Sequence, residues 1–356
     1  MSKSDRFPGT SNETSSDTET LLYITGGATP YLTASTEVYP TTSDCSPPSL
    51  PSPRFGHITF VTAGQQPVIA TCAGQVCDEA NGRRCSGASR RWSYTASCLV
   101  LDPIGRRWDE RRMGDLTMKR YLSAVVSLRN VGVFVLGGMR HNYQTLKAWR
   151  QDEAGRRTID YLAPGSMEWQ EGPALPAIMD QQDHPCAVAL THSTFIAIYG
   201  KDILEFNAAI AGPTSNEGWQ EAGKWPQLKI RRSQNPGCAR IGQKVVISGG
   251  YNNKPSLVST EVLDLVSRNI SSVDEMVMPR SHFHVVTISV EGEVKMFGLG
   301  GFDCIYWRGG YTDMVVEWAE DSSTWKAAAS LASRRGYFGV VAAPRQLICP
   351  KDDSLE

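Results

Sequence analysis

The chain has 356 residues, with 36 Lys and Arg against 37 Asp and Glu and a formal net charge of −1. No basic excess exists to neutralise a phosphate backbone, so a nucleic-acid-binding role is not expected. No run reaches the roughly 18 consecutive apolar residues of a membrane-spanning helix, and the 32 glycines and 20 prolines imply a chain of many turns.

Residues 1–20, rich in Ser, Thr, Asp and Glu, read as a disordered tail. They lack the apolar core of a secretory leader, which points to the cytoplasm. The nine cysteines point the other way. Cys72, Cys77, Cys85 and Cys98 lie close together, a density that fits extracellular disulfides or a metal site. The CxxC spacing of a zinc site is absent.

From residue 21 onward the chain repeats. Leu21 to Thr25 runs into Gly26-Gly27, Val68 to Ala73 into Gly74, and Val133 to Leu136 into Gly137-Gly138. Phe195 to Tyr199 ends at Gly200, Val245 to Ser248 at Gly249-Gly250, and Lys295 to Leu299 at Gly300-Gly301. A tryptophan keeps phase with the glycines. Trp108 stands 30 residues before Gly138, Trp169 stands 31 before Gly200, Trp219 stands 31 before Gly250, and Trp325 closes the series. Length variation is therefore confined to the segment between each glycine and the next tryptophan. A third marker is the pair Pro53-Arg54, Lys119-Arg120, Arg231-Arg232, Pro279-Arg280 or Arg334-Arg335, each ahead of a short apolar strand. Ser35-Thr36-Glu37-Val38-Tyr39 and Ser259-Thr260-Glu261-Val262-Leu263 are near-copies, which is direct evidence of duplication. Val- and Ile-rich runs punctuated by Gly and Pro predict an all-β chain.

Four strands per unit, a terminal Gly-Gly and a downstream Trp resemble the kelch repeat of the galactose-oxidase-like propeller superfamily. The resemblance implies a six-bladed β-propeller over residues 21–345, with four antiparallel strands per blade and residues 346–356 as a tail. The chain begins on a second strand and ends on a first strand, Tyr337 to Ala343, so the C-terminal strand is expected to complete the N-terminal blade. The Phe195 to Gly200 unit is degenerate, since it opens at Asp183-His184 without an arginine. Within this resemblance Cys72 ends a second strand and Cys98 opens the third strand of the same blade, positions that bring Cα atoms within disulfide reach. The pattern is similar to cysteine-bearing invertebrate kelch-like proteins, many of them secreted. Cys77 and Cys85 would then pair across the intervening loop, and four free thiols remain the alternative.

The glycines have a backbone reading, since Gly accepts positive φ and close approach. The tryptophans read as packing between blades. His57, His184, His282 and His284 fall on or beside innermost strands, where local hydrogen bonding is the simpler role than convergence on a metal. No cofactor or metal is expected. No Ser-His-Asp order, zincin helix or phosphate loop occurs, and the tyrosine, histidine and cysteine set of copper radical oxidases cannot be laid onto these positions. The sequons Asn12-Glu13-Thr14 and Asn269-Ile270-Ser271 matter only in a secretory setting.

The resemblance therefore implies that function lies in the loops of one face, as kelch adaptors use them. The first carries Arg83, Arg84, Arg90, Arg91, Trp92 and Tyr94, and the second Arg140, His141 and Tyr143. The fifth carries Tyr251, Asn252 and Asn253, and the sixth Phe302, Tyr306, Trp307, Arg308 and Tyr311. Tyr, Trp and Arg are the residues enriched at binding hot spots. The expected function is a non-enzymatic, monomeric module that binds a protein partner, without nucleic acid or membrane insertion. The alternative is a secreted glycan-binding propeller, or a galactose-oxidase- or mutarotase-like enzyme using the central channel.

Overall fold

A computed structural model describes residues 19–29, 31–77, 92–138, 157–176, 184–220, 223–252, 256–290, 292–303, 310–321 and 323–350. Its regular structure is nearly all antiparallel β. The first sheet joins Gly339–Pro344, Thr20–Thr25 and Thr36–Tyr39, so the last strand of the chain pairs with the first. The second runs Ile58–Val61, Ile69–Cys72, Cys98–Asp102, Arg107–Asp109, and the third Ala124–Leu128, Gly132–Leu136, Ile159–Leu162, Trp169–Glu171. The fourth has Cys186–Ala189, Thr194–Tyr199 and Asp202–Asn207. Its outer edge is a helical turn, Ala208–Ala211, and a 3-10 turn ending beside Trp219, which bridges to Phe206. The fifth runs Gly237–Ile241, Lys244–Ser248, Thr260–Asp264, Ile270–Val273, and the sixth His284–Val290, Glu293–Leu299, Val315–Ala319, Thr324–Ala328. A further three-stranded sheet, Arg54–Phe55, Gln75–Cys77 and Trp92–Tyr94, extends from the glycine end of the second.

Burial explains this arrangement. The second strands Gly132–Leu136 and Thr194–Tyr199 are buried at every residue, which requires apolar cover on both faces. The outer strand Ile270–Val273 presents two exposed serines. Six apolar clusters each fill the space between two successive sheets. Tyr23 and Val38 meet Leu99 and Trp108; Phe60 and Val100 meet Val133 and Trp169; Phe134 and Tyr161 meet Phe195 and Phe206. Ile196 and Ile198 meet Val245 and Ile247; Val246 and Val262 meet Met296 and Trp318; Phe297 and Leu299 meet Leu22 and Ile24. The first strands touch in the same order, and Gly339–Pro344 touches both His284–Val290 and Ile58–Val61.

The outer tryptophans pack across these spaces. Trp108 stacks on Tyr23 of the first sheet with ring centroids 6.1 Å apart. Trp169 meets Phe60 of the second sheet edge-on at 5.7 Å, and Trp325 donates its Nε1 hydrogen to Thr260 Oγ1 of the fifth at 3.0 Å.

The glycine pairs are joints between sheets. Gly26 and Gly27 have φ of 57° and 102°. The Gly27 N–H donates to the Arg54 carbonyl of the next sheet at 2.8 Å, and a Cβ on Gly26 would lie 2.5 Å from that oxygen. A side chain fails here on both conformation and space. The same bond recurs from Gly250 to the Arg280 carbonyl at 3.0 Å.

Three disulfides join described cysteines. Cys72–Cys98 links adjacent second and third strands in direct register, as expected. Cys186–Cys238 joins the first strands of the fourth and fifth sheets. Cys45–Cys349 ties the segment after the last strand to the first sheet's outer side. The Cys77–Cys85 pairing lies outside the described residues. No described helix is long and apolar enough to cross a membrane.

Candidate functional site

The repeated arginines resolve into a structural device. Arg54, Arg120, Arg232, Arg280 and Arg335 are all buried. Each Nη1 donates to two carbonyls of its own sheet, one just after the second strand and one before the third. For Arg232 these are Gly249 and Ser259, both at 2.8 Å; for Arg120, Gly137 at 2.8 Å and Thr158 at 3.0 Å. Two residues beyond the second carbonyl stands an acid: Asp160 at 2.5 Å from Arg120, Glu261 at 3.0 Å from Arg232, and Glu37 at 2.8 Å from Arg335. Leu99 and Val316 occupy that place opposite Arg54 and Arg280. Burial pushes both of those guanidinium groups down to about 10, opposed at Arg54 by Glu110 and Asp115. The Nε and Nη2 of Arg280 have no hydrogen-bond partner among the described residues, and its guanidinium lies 5.7 Å from the Phe283 ring. This arginine series holds the scaffold together.

Just after each arginine the backbone enters the left-handed region before the first strand begins, at one residue in four of the sheets and at both Gln234 and Asn235 after Arg232. Gly56, Leu122, Gln234, His282 and Tyr337 have φ between 51° and 61°. They are chained by backbone hydrogen bonds from sheet to sheet. His282 N–H donates to Gln234 C=O at 3.4 Å, Tyr337 to His282 at 3.0 Å, Gly56 to Tyr337 at 2.7 Å and Leu122 to Gly56 at 2.8 Å. The belt draws the starts of five sheets together.

Aromatic rings stand on this belt. Phe55 meets Tyr121 at 5.4 Å and Tyr337 at 5.8 Å, and Tyr94 meets Tyr121 at 5.7 Å, all edge-on. Tyr337 stacks on His282 at 3.9 Å and approaches Phe302 and Tyr311, which lie 5.2 Å from each other. Phe55, Tyr337, Phe302 and Tyr311 are half-buried, while Tyr94 and Tyr121 are buried. The starts of the first strands pair with the ends of the second, as Gly339 with Thr25 and Ile58 with Cys72. The rim therefore occupies the sheet end from which the variable segments depart.

Beyond the belt lies a cavity of about 200 Å³, lined by the first strands with Ile58, Val125, Ala187, Val285 and Val340 among its residues. Its titratable lining residue is His284. No cluster of three or more metal-binding side chains exists among the described residues. His57 Nε2 accepts the Gly339 N–H at 3.1 Å and contacts Thr25 Oγ1 at 2.9 Å. His284 Nε2 donates to the Phe338 carbonyl at 2.7 Å. Burial holds all four imidazoles neutral: His184 and His284 are pushed down to about 4, and His57 and His282 well below the usual value.

Of the loop residues expected to bind a partner, Tyr94, Phe302 and Tyr311 join the rim. Tyr251 and Asn252 are half-buried, and Tyr251 bridges Ser233 and Ser256 beside the belt. Trp92 is described as strand backbone. Arg83, Arg84, Arg90, Arg91, Arg140, His141, Tyr143, Asn253, Tyr306, Trp307 and Arg308 lie outside the described residues, as does Asn12. The rim residues Phe55, Tyr121 and Tyr337 went unread in sequence, although the recurrence of an aromatic one or two places after a marker arginine signals them.

No protein-family model matches the chain, and no curated protein matches it.

Proposed function

We propose that the chain is a six-bladed, kelch-type β-propeller that serves as a protein-interaction module in an oxidising, extracellular compartment. The six inter-sheet clusters and the sequential contacts of the first strands support the ring. Pairing of Gly339–Pro344 with Thr20–Thr25 supports its closure by the C-terminal strand. Three disulfides support the compartment.

The observation that carries the binding role is the aromatic rim at the sheet end where the variable segments begin. Large rings on a rigid belt lose little conformational freedom on binding and supply the contact area typical of hot spots. The cavity behind the belt is about 200 Å³, small beside the roughly 300–1,000 Å³ of ordinary ligand sites. That contrast favours the rim over the channel as the working surface.

The test begins with a partner cross-linked to the protein in its native source and then purified. Phe302→Ala and Tyr311→Ala should each weaken its binding roughly tenfold or more, with melting temperatures within a few degrees of wild type. Unchanged affinity in both variants sinks the proposal.

A further inference from the structure

We propose that Asn269 is an N-glycosylation site, placing an oligosaccharide on the face opposite the aromatic rim. The inference rests on the secretory compartment of the proposed function. The pattern Asn269-Ile270-Ser271 alone is weak evidence; its setting in the fold strengthens it.

Asn269 ends the turn between Thr260–Asp264 and Ile270–Val273, where its carbonyl accepts the Asp264 N–H at 2.9 Å. The Asp264 carboxylate caps the turn by accepting the Val266 and Ser267 N–H groups at 3.0 and 2.7 Å. Arg268 takes a left-handed φ of 57°, and its guanidinium lies 5.3 Å from the Trp225 ring. Asn269 and Ser271 are both exposed. Val266, in the same turn, is 77 % exposed, an apolar residue that a neighbouring glycan would shade.

The second sheet contains the same turn. Asp102 accepts the Gly105 N–H at 2.9 Å, Arg106 has φ of 48°, and Arg107 stands where Asn269 stands. The Arg107 side chain is 75 % exposed. This position therefore accepts a large solvent-facing group without cost to the turn. The third strand begins opposite Ser248 and ends opposite Lys244, so the turn lies at the end remote from Gly249-Gly250 and from the rim. A glycan here shields that end and leaves the rim accessible.

In the transfer, the Asn269 amide nitrogen forms a bond to the anomeric carbon of a lipid-linked oligosaccharide pyrophosphate. The anomeric carbon–oxygen bond breaks, the lipid pyrophosphate leaves with the electron pair, and the amide gives up one proton.

The full chain should be expressed through the secretory pathway of eukaryotic cells as wild type, Asn269→Gln and Ser271→Ala. Wild type should lose hexose-rich mass on peptide N-glycosidase treatment, with Asn269 converted to Asp in its peptide. Both variants should lack modification at that peptide and melt with the enzyme-treated wild type. Secreted wild type with intact disulfides and an unmodified Asn269 peptide overturns the glycosylation inference while leaving the compartment standing. Native-source protein whose thiols all alkylate without reduction overturns both.

Discussion

Arg280 and Arg232 occupy the same place in successive sheets, yet among the described residues only Arg232 of the two meets a carboxylate. A buried cation without a counter-charge is costly, and removing one partner of a buried pair typically costs about 3–5 kcal/mol. Asp160→Asn should therefore destabilise by roughly that amount, because Arg120 stays fully buried. The converse change, Val316→Glu, puts an acid where Glu261 stands in the fifth sheet. In a double-mutant cycle with Arg280→Met, the glutamate should be favoured by about 2–3 kcal/mol when the arginine is present. Chemical denaturation of the four proteins measures this, and a coupling near zero refutes the pairing geometry. The arginine spacing was legible in sequence because five copies stand out from their surroundings. The missing acids were not, because Leu99 and Val316 look like ordinary strand residues until the side chain facing them is known.

At the scale of elements, the first strands and the residues just ahead of them carry their histidines neutral. His184 and His284 fall to about 4 in the folded protein through burial, whereas an unfolded chain binds the proton near 6.5. Between those values the unfolded state holds more protons, so stability present above pH 6.5 declines as pH falls toward 4. Each histidine contributes up to about 1.4 kcal/mol per pH unit across the window, and His57 and His282 act in the same direction. The exposed carboxylates Asp44 and Asp264 lie below their usual value, held there by Arg345 and by the Ser267 hydrogen bonds. Their effect therefore falls below the histidine window. Burial raises Glu37, which acts in the opposite sense. Urea unfolding at pH 7, 6 and 5 should show the decline, and His284→Gln should flatten it. A flat profile in wild type contradicts neutral burial. The strand order was readable because the glycines end each second strand at a fixed place. The belt was not, because Leu122, His282 and Tyr337 adopt left-handed backbone without the glycine that would announce it.

At the scale of the molecule, stability depends on how the chain's ends are joined. The Thr20–Thr25 and Gly339–Pro344 strands pair over six residues. Beyond them Arg345 makes ion pairs with Glu19 at 3.0 Å and Asp44 at 2.6 Å. The Cys45–Cys349 bridge then spans 304 residues of sequence, against 26 for Cys72–Cys98. In the chain-entropy account the stabilisation grows with the logarithm of the closed loop, giving about 5.7 kcal/mol for the long bridge and about 3.5 for the short one. Cys45→Ser with Cys349→Ser should therefore lower stability more than Cys72→Ser with Cys98→Ser, despite the deeper burial of Cys72 and Cys98. Opening should also begin at the first sheet. Amide exchange in Leu21 to Ile24 should accelerate in the long-bridge variant, while exchange in Val245 to Ile247 stays near its original rate. If the short-bridge variant loses more stability, strand packing dominates over closure. If exchange rises equally in both segments, the ends of the chain are not the point at which the structure opens.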